Sequence, residues 1–168
     1  DSMSLSTGIG LQVLRAAEMA EAGASAEEIV AAIEGAREKV RASFVVDTLT
    51  YLARGGRCSS VTALLANTLK LKPRIVVKDG KMGVDKKYRG PLGKVLVKYT
   101  KDMEPELLQA DPARVFITHS GCDPETVEQV RAYLKSLGIF RDVIETRAGG
   151  VISSHCGPGT LGVLFYMR

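Results

Sequence analysis

Apolar residues in this chain switch repeatedly between helical spacing and short β-branched runs. That alternation constrains the fold more than any other feature, because a helix-period segment and a strand-period segment bury different faces. Leu11 to Ala22 reads as a helix, with Gly10 before it and Gly23 at the stop position. Ile9, Val13, Ala16 and Ala20 form its expected apolar stripe. Ser25 to Glu28 has the spacing of a capping box. The helix it opens carries Ile29, Ile33, Ala36 and Val40 on one side. Then the period changes, and "SFVVDT", Ser43 to Thr48, is a predicted strand. A short helix, Leu49 to Ala53, ends at Gly55-Gly56. Ser59 or Ser60 caps another, with Val61, Leu64, Leu65 and Thr68 on one side.

Pro73 opens a strand in "PRIVVKDGKMGV". Asp79-Gly80 between its two halves predicts a two-residue hairpin, since a type I′ turn needs positive φ at both positions. Pro91 suits the first turn of a helix whose buried stripe is Leu92, Val95, Leu96, Tyr99 and Met103. "RVFITHS", Arg114 to Ser120, is a buried strand. Asp123-Pro124 caps a helix carrying Val127, Val130, Leu134 and Leu137, stopped by Gly138. "FRDVIET" and "LGVLFYM" are the last two strands. The result is an α/β chain with a mixed sheet of about six strands covered by helices.

Composition sets outer limits. The chain has 168 residues, 45% of them hydrophobic, enough for one ordinary core. Net charge is 23 − 19 = +4, spread along the chain, and only 5% of residues are aromatic. A nucleic-acid platform is therefore disfavoured. No apolar run has the length of a membrane helix. Cys58, Cys122 and Cys156 are odd in number and widely spaced, which argues for a reducing cytoplasm over a disulfide framework.

The stretch "VISSHCGPGTLGVLF" sets His155 beside Cys156 and ahead of a Gly-Pro-Gly bend. Neighbouring side chains in an extended segment point to opposite faces, so adjacency does not make a catalytic pair. A cysteine hydrolase would have to use Cys156 with His119. A metal site would draw on His119, Cys122, His155 and Cys156, but His-x-x-Cys and His-Cys are not zinc spacings. Gly157, Pro158 and Gly159 can instead hold His155 at the mouth of a pocket, or form a plain structural turn. In "LARGGRCSS", Arg57 leaves a double glycine beside a helix start, a fair anion cradle or a surface ion pair. In "DKKYRG", Lys86, Lys87 and Arg89 flank a tyrosine. They form either a solvated strand edge or a docking surface for an acidic partner.

Taken together and in order, "DS", "VVDTLTYLARGGRCSS", "KPRIVVKDGK" with "KKYRG", "VFITHSG" and "HCGPGTLGVLFY" resemble the DegV family of bacterial lipid-binding proteins over essentially the whole chain. The resemblance implies a two-domain α/β fold that binds a long-chain fatty acid between its domains. It implies a carrier without chemistry of its own and without a cofactor, presenting the fatty-acid carboxylate to a separate kinase subunit. The family's carboxylate-binding histidine matches His155, and the arginine of its Gly-Gly-Arg motif matches Arg57. Ser154, Gly157, Pro158 and Gly159 match the head-group loop, and Arg89, with Lys86 and Lys87, the kinase-facing surface. Family members carry an α/β segment ahead of the Asp-Ser at which this sequence begins. Residues 1–42 are accordingly expected to be a helical segment packing on that other domain, and residues 43–168 the mixed-sheet lipid-binding domain.

Overall fold

The structure, a computed structural model, describes residues 1–57 and 71–168. The helix expected after Ser59 or Ser60, with Val61, Leu64, Leu65 and Thr68, lies outside the described residues, as does Cys58. The elements run α1 (Thr7–Glu21), α2 (Ala26–Ala36), β1 (Val40–Val45), α3 (Thr50–Arg54), β2 (Leu71–Lys78), β3 (Lys81–Arg89), α4 (Leu92–Asp102) and α5 (Glu104–Leu107). They continue with β4 (Ala110–His119), α6 (Pro124–Ser136), β5 (Asp142–Arg147), α7 (Gly150–Cys156) and β6 (Leu161–Met167).

The strands form a six-stranded mixed sheet in the order β3-β2-β1-β6-β4-β5. Among the described strands only β4 and β5 pair in parallel, and α6 makes the crossover between them. The β2–β3 turn has φ of 51° at Asp79 and 70° at Gly80, the positive pair the Asp-Gly signal requires. Ser25 accepts from the Glu28 N–H at 3.2 Å while Glu28 accepts from the Ser25 N–H at 2.8 Å, which completes the capping box.

Both sheet faces are covered, which is why β6 reads as one unbroken apolar run. Val163 and Phe165 join Val45, Ile117, Val95, Tyr99 and Val130 under α4 and α6. Leu164 and Tyr166 face the other way, against Leu11, Ala36 and Phe116 under α1 and α2. Beside them, Phe44, Val46, Ile75, Leu52 and Cys156 pack under α3 and α7. Tyr99 reaches from α4 into the sheet: its hydroxyl donates to the Ser43 carbonyl at 2.8 Å and accepts from the Val163 N–H at 3.1 Å.

Several sequence expectations shift. The stripe of α1 is rotated: Ile9 and Val13 are 42% and 61% exposed, while Gly8, Leu11 and Gln12 are buried. Gly8 leaves room for the Ser4 side chain, whose Oγ would be 2.2 Å from a Cβ there, and the Gln12 amide is satisfied by the carbonyls of Ser2 and Gly8. A glycine and a glutamine on the buried side escape any hydrophobic count. Pro73 lies inside β2 and does not open it. Its carbonyl accepts from the Val46 N–H, so its missing N–H also faces β1, and the reciprocal bond has no donor just past the last paired residues, Val45 and Arg74. The boundary expected at 42/43 falls inside β1. Finally, "VISSHC" is helical, not extended.

Candidate functional site

The site is built where the C-terminal ends of two short helices meet. The sequence of α3, "TYLAR", runs into Gly55-Gly56-Arg57. Gly56 has φ 69°, and the N–H groups of Gly56 and Arg57 bond back to the carbonyls of Ala53 and Leu52. That is a Schellman stop, and it throws Arg57 outward, exposed, with its guanidinium donating to the Gly55 carbonyl at 2.8 Å.

Opposite it, α7 starts at Gly149-Gly150, and the Ser153 N–H bonds to the Gly149 carbonyl. It ends at His155-Cys156 before Gly157, which has φ 80°. His155 is half-buried and lies on Gly55. A Cβ placed on Gly55 would be 2.5, 2.9 and 3.2 Å from Nδ1, Cε1 and Cγ of the imidazole. Those distances place the point above the ring plane at its Nδ1 corner, so Nδ1 is the ring atom nearest the glycine. Among the described residues neither ring nitrogen has a hydrogen bond. An imidazole so placed can donate to a carboxylate oxygen, with the Arg57 guanidinium on the adjoining turn.

The bend after His155 is held hard. The Ser120 N–H donates to the Thr160 carbonyl at 2.9 Å, and the Gly159 N–H donates to the Ser120 carbonyl at 3.0 Å. The Ser120 hydroxyl donates to the Gly157 carbonyl, and the Cys122 thiol to the Gly159 carbonyl at 3.1 Å. Gly159 has φ 75°, and Pro158 sits exposed between the two glycines. Ser154, expected in the head-group loop, stands on the exposed side of α7 with its hydroxyl donating to the Val151 carbonyl.

The parts of a cysteine hydrolase are not assembled. Cys156 is buried among Phe44, Leu49 and Leu52, and burial pushes its thiol up to about 11. Burial likewise pushes Cys122 up to about 12, with Asp123 adding to it. His119 is committed elsewhere: Nδ1 accepts from the Cys122 N–H at 3.2 Å and Nε2 bonds Glu145 at 3.0 Å. Since Nδ1 accepts, the proton sits on Nε2 and faces the carboxylate. That bond, the largest influence on Glu145, helps hold its carboxyl below the usual range. No metal-holding cluster occurs among the described residues.

The basic residues of β3 divide. Lys86 is paired with Asp102 at 2.6 Å and stacked on Tyr88, whereas Lys87 and Arg89 are exposed on an outermost strand with no ion pair among the described residues. A groove of about 820 Å³ lies elsewhere, between Glu34, Arg37, Arg41, Val77 and Glu106. Neither His155 nor Arg57 lines it, and its charged walls do not suit an acyl tail. Sequence reasoning misses Tyr51, Ser120 and the role of Gly55. The double glycine reads as a helix stop, but only Gly56 has the positive φ that calls for a glycine there.

The model of the family described as "Uncharacterised protein, DegV family" matches residues 1–168. The chain belongs to the DegV family. A DegV domain-containing protein of Deinococcus radiodurans is 36% identical over 163 residues, which are 97% of this chain and 57% of that protein. The chain thus spans somewhat more than half the length of the relatives it matches. A Thermus thermophilus DegV-family protein, solved for its fatty-acid binding, superposes with a TM-score of 0.88 at 32% identity, covering 100% of this chain and 60% of that one. The Streptococcus pneumoniae fatty acid kinase B3 protein, loaded with linoleic acid, shares the fold at a TM-score of 0.85 and 20% identity, covering 100% and 59%. Among the described residues of this DegV chain, no helix is long and apolar enough to cross a membrane.

Proposed function

We propose that this chain carries the head-group side of a fatty-acid carrier: His155 and Arg57 take the carboxylate of a long-chain fatty acid and present it to a separate kinase subunit. The observation that carries the reading is the imidazole of His155 lying on Gly55 of the Gly-Gly-Arg turn, with neither nitrogen hydrogen-bonded among the described residues. The likeness to the fatty-acid-binding Thermus protein supports the ligand class. An acyl tail gains about 0.8 kcal/mol for each methylene removed from water, so the tail provides affinity. The head group needs a few aligned donors, because a buried carboxylate without partners is costly.

In this reading the chain has no chemistry of its own and needs no cofactor. Lys87 and Arg89 face the kinase, with Lys86 held back by Asp102. Ser154 and the Gly157-Pro158-Gly159 bend frame the head group. The apolar side chains that α1 and α2 leave exposed, Ile9, Val13 and Val30, suit a neighbouring α/β domain. The work is cytoplasmic, in keeping with unpaired thiols.

Extraction of the purified protein followed by mass spectrometry tests the ligand, and calorimetric titration with oleate tests the site. A long-chain fatty acid is expected in the extract, with weaker oleate binding in His155→Ala and Arg57→Ala. Lys87→Ala and Arg89→Ala are expected to keep oleate affinity and lose acyl-phosphate formation with the kinase. An extract free of fatty acid after incubation with excess oleate overturns the reading.

A further inference from the structure

We propose that Gly55 is a positioning residue, the seat that orients His155, and that α3 and α7 lock each other through two reciprocal ring-on-glycine contacts. This rests on the carboxylate reading of His155 and adds to it what fixes the imidazole. The key is that the backbone does not require a glycine at 55. Gly56 has φ 69° and needs one, but Gly55 has φ −77° and ψ 0°, which any residue adopts. What excludes a side chain at 55 is space: a Cβ would stand 2.5 Å from Nδ1 of His155.

The same contact recurs in reverse. The ring of Tyr51, on α3, lies on Gly157, the residue that caps α7; a Cβ there would be 2.3 Å from Cδ2 of Tyr51. So each helix ends in a glycine, and each glycine receives an aromatic ring from the other helix. The two seams run antiparallel, Tyr51 to Gly157 and Gly55 to His155.

Nδ1 is the ring atom nearest the glycine, and Nε2 lies farther from it. Arg57 is tied to the same seat, because its guanidinium donates to the Gly55 carbonyl. Gly55 therefore sets the imidazole and the guanidinium relative to one another. A methyl at 55 pushes the imidazole off the turn without touching the carboxylate itself. Ser120 holds the far side of the bend through the Gly157 carbonyl and the Gly159 N–H.

The test compares Gly55→Ala, His155→Ala and Gly35→Ala, the last an exposed position of α2 where a Cβ meets nothing. Oleate affinity is measured by calorimetry, fold by circular dichroism, and the His155 ring by proton–carbon correlation of its Cε1–H. Gly55→Ala is expected to fold, to shift the His155 resonance, and to weaken oleate about tenfold or more. Gly35→Ala is expected to match the parent on all three. Gly55→Ala with parental affinity and an unmoved resonance overturns the seat, while His155→Ala with parental affinity overturns the carboxylate reading instead. Should Gly55→Ala fail to fold, Tyr51→Leu removes the reciprocal ring. It is expected to shift the His155 resonance where Tyr51→Phe does not, and equal spectra for the two reject the interlock.

Discussion

Tyr99 shows how much one buried atom can hold. Its ring belongs to the apolar stripe of α4, which the helical spacing exposes in the sequence, but its hydroxyl stands between β1 and β6. There it serves the Ser43 carbonyl, the Val163 N–H and, at 2.8 Å, the Ser43 hydroxyl. Burial pushes it up to about 12, so it remains a protonated donor through the neutral range. Tyr99→Phe keeps the ring and strands two backbone groups at a fully buried place. The expected loss is about 1–3 kcal/mol of unfolding free energy, read by urea denaturation. A parental midpoint would show that the two strands close on each other when the hydroxyl is gone. Gly55 belongs to the same scale: the sequence shows that it ends a helix, and only the fold shows whose ring lies on it.

Elements with local signals are the ones the sequence describes well. Ser25 and Glu28 close a capping box, Asp123 accepts from the Thr126 N–H, and Asp79-Gly80 turns a hairpin. Each signal lies within four residues of its partner, so no tertiary knowledge is needed. Ser25→Ala removes one half of the box and is expected to cost about 1 kcal/mol, with Ser25→Thr close to the parent, both measured by urea denaturation. Equal loss in both variants would place the effect outside the cap. By contrast, α7 is hard to read. Its Val, Ile and serines are poor helix formers, and it forms because Ile152 and Cys156 pack on Phe44 and Leu52. The buried side of α1 is equally hidden, since Gly8 and Gln12 carry no hydrophobic signal.

Across the whole molecule, carboxylates shape the response to acid. Burial alone would raise Asp102, but the hydrogen bonds from Lys86 and Tyr88 together outweigh it and hold the carboxyl below its usual range. Glu145 is also lowered, first by the His119 hydrogen bond. A depressed carboxylate stays charged in the folded chain at a pH where the unfolded chain takes up the proton. Its contribution is complete above the unfolded range and fades as pH falls through the folded one. Urea midpoints are therefore expected to fall between about pH 5 and about pH 3, and Asp102→Asn to flatten part of that slope. A midpoint independent of pH over that span would contradict the pairing.

The amino-acid order by itself determined the alternation of strands and helices, the caps, the hairpin and the apolar stripes of α4 and α6, because these arise from contacts between residues near in the chain. It also carried the motifs that place the chain in its family. Tertiary structure alone decided that His155 lies on Gly55, that Tyr51 covers Gly157, that His119 is taken by Glu145, and that Lys86 is spent on Asp102. Each of those joins residues distant along the chain, and a side chain's partner at long range is set by how layers pack, which no local spacing encodes.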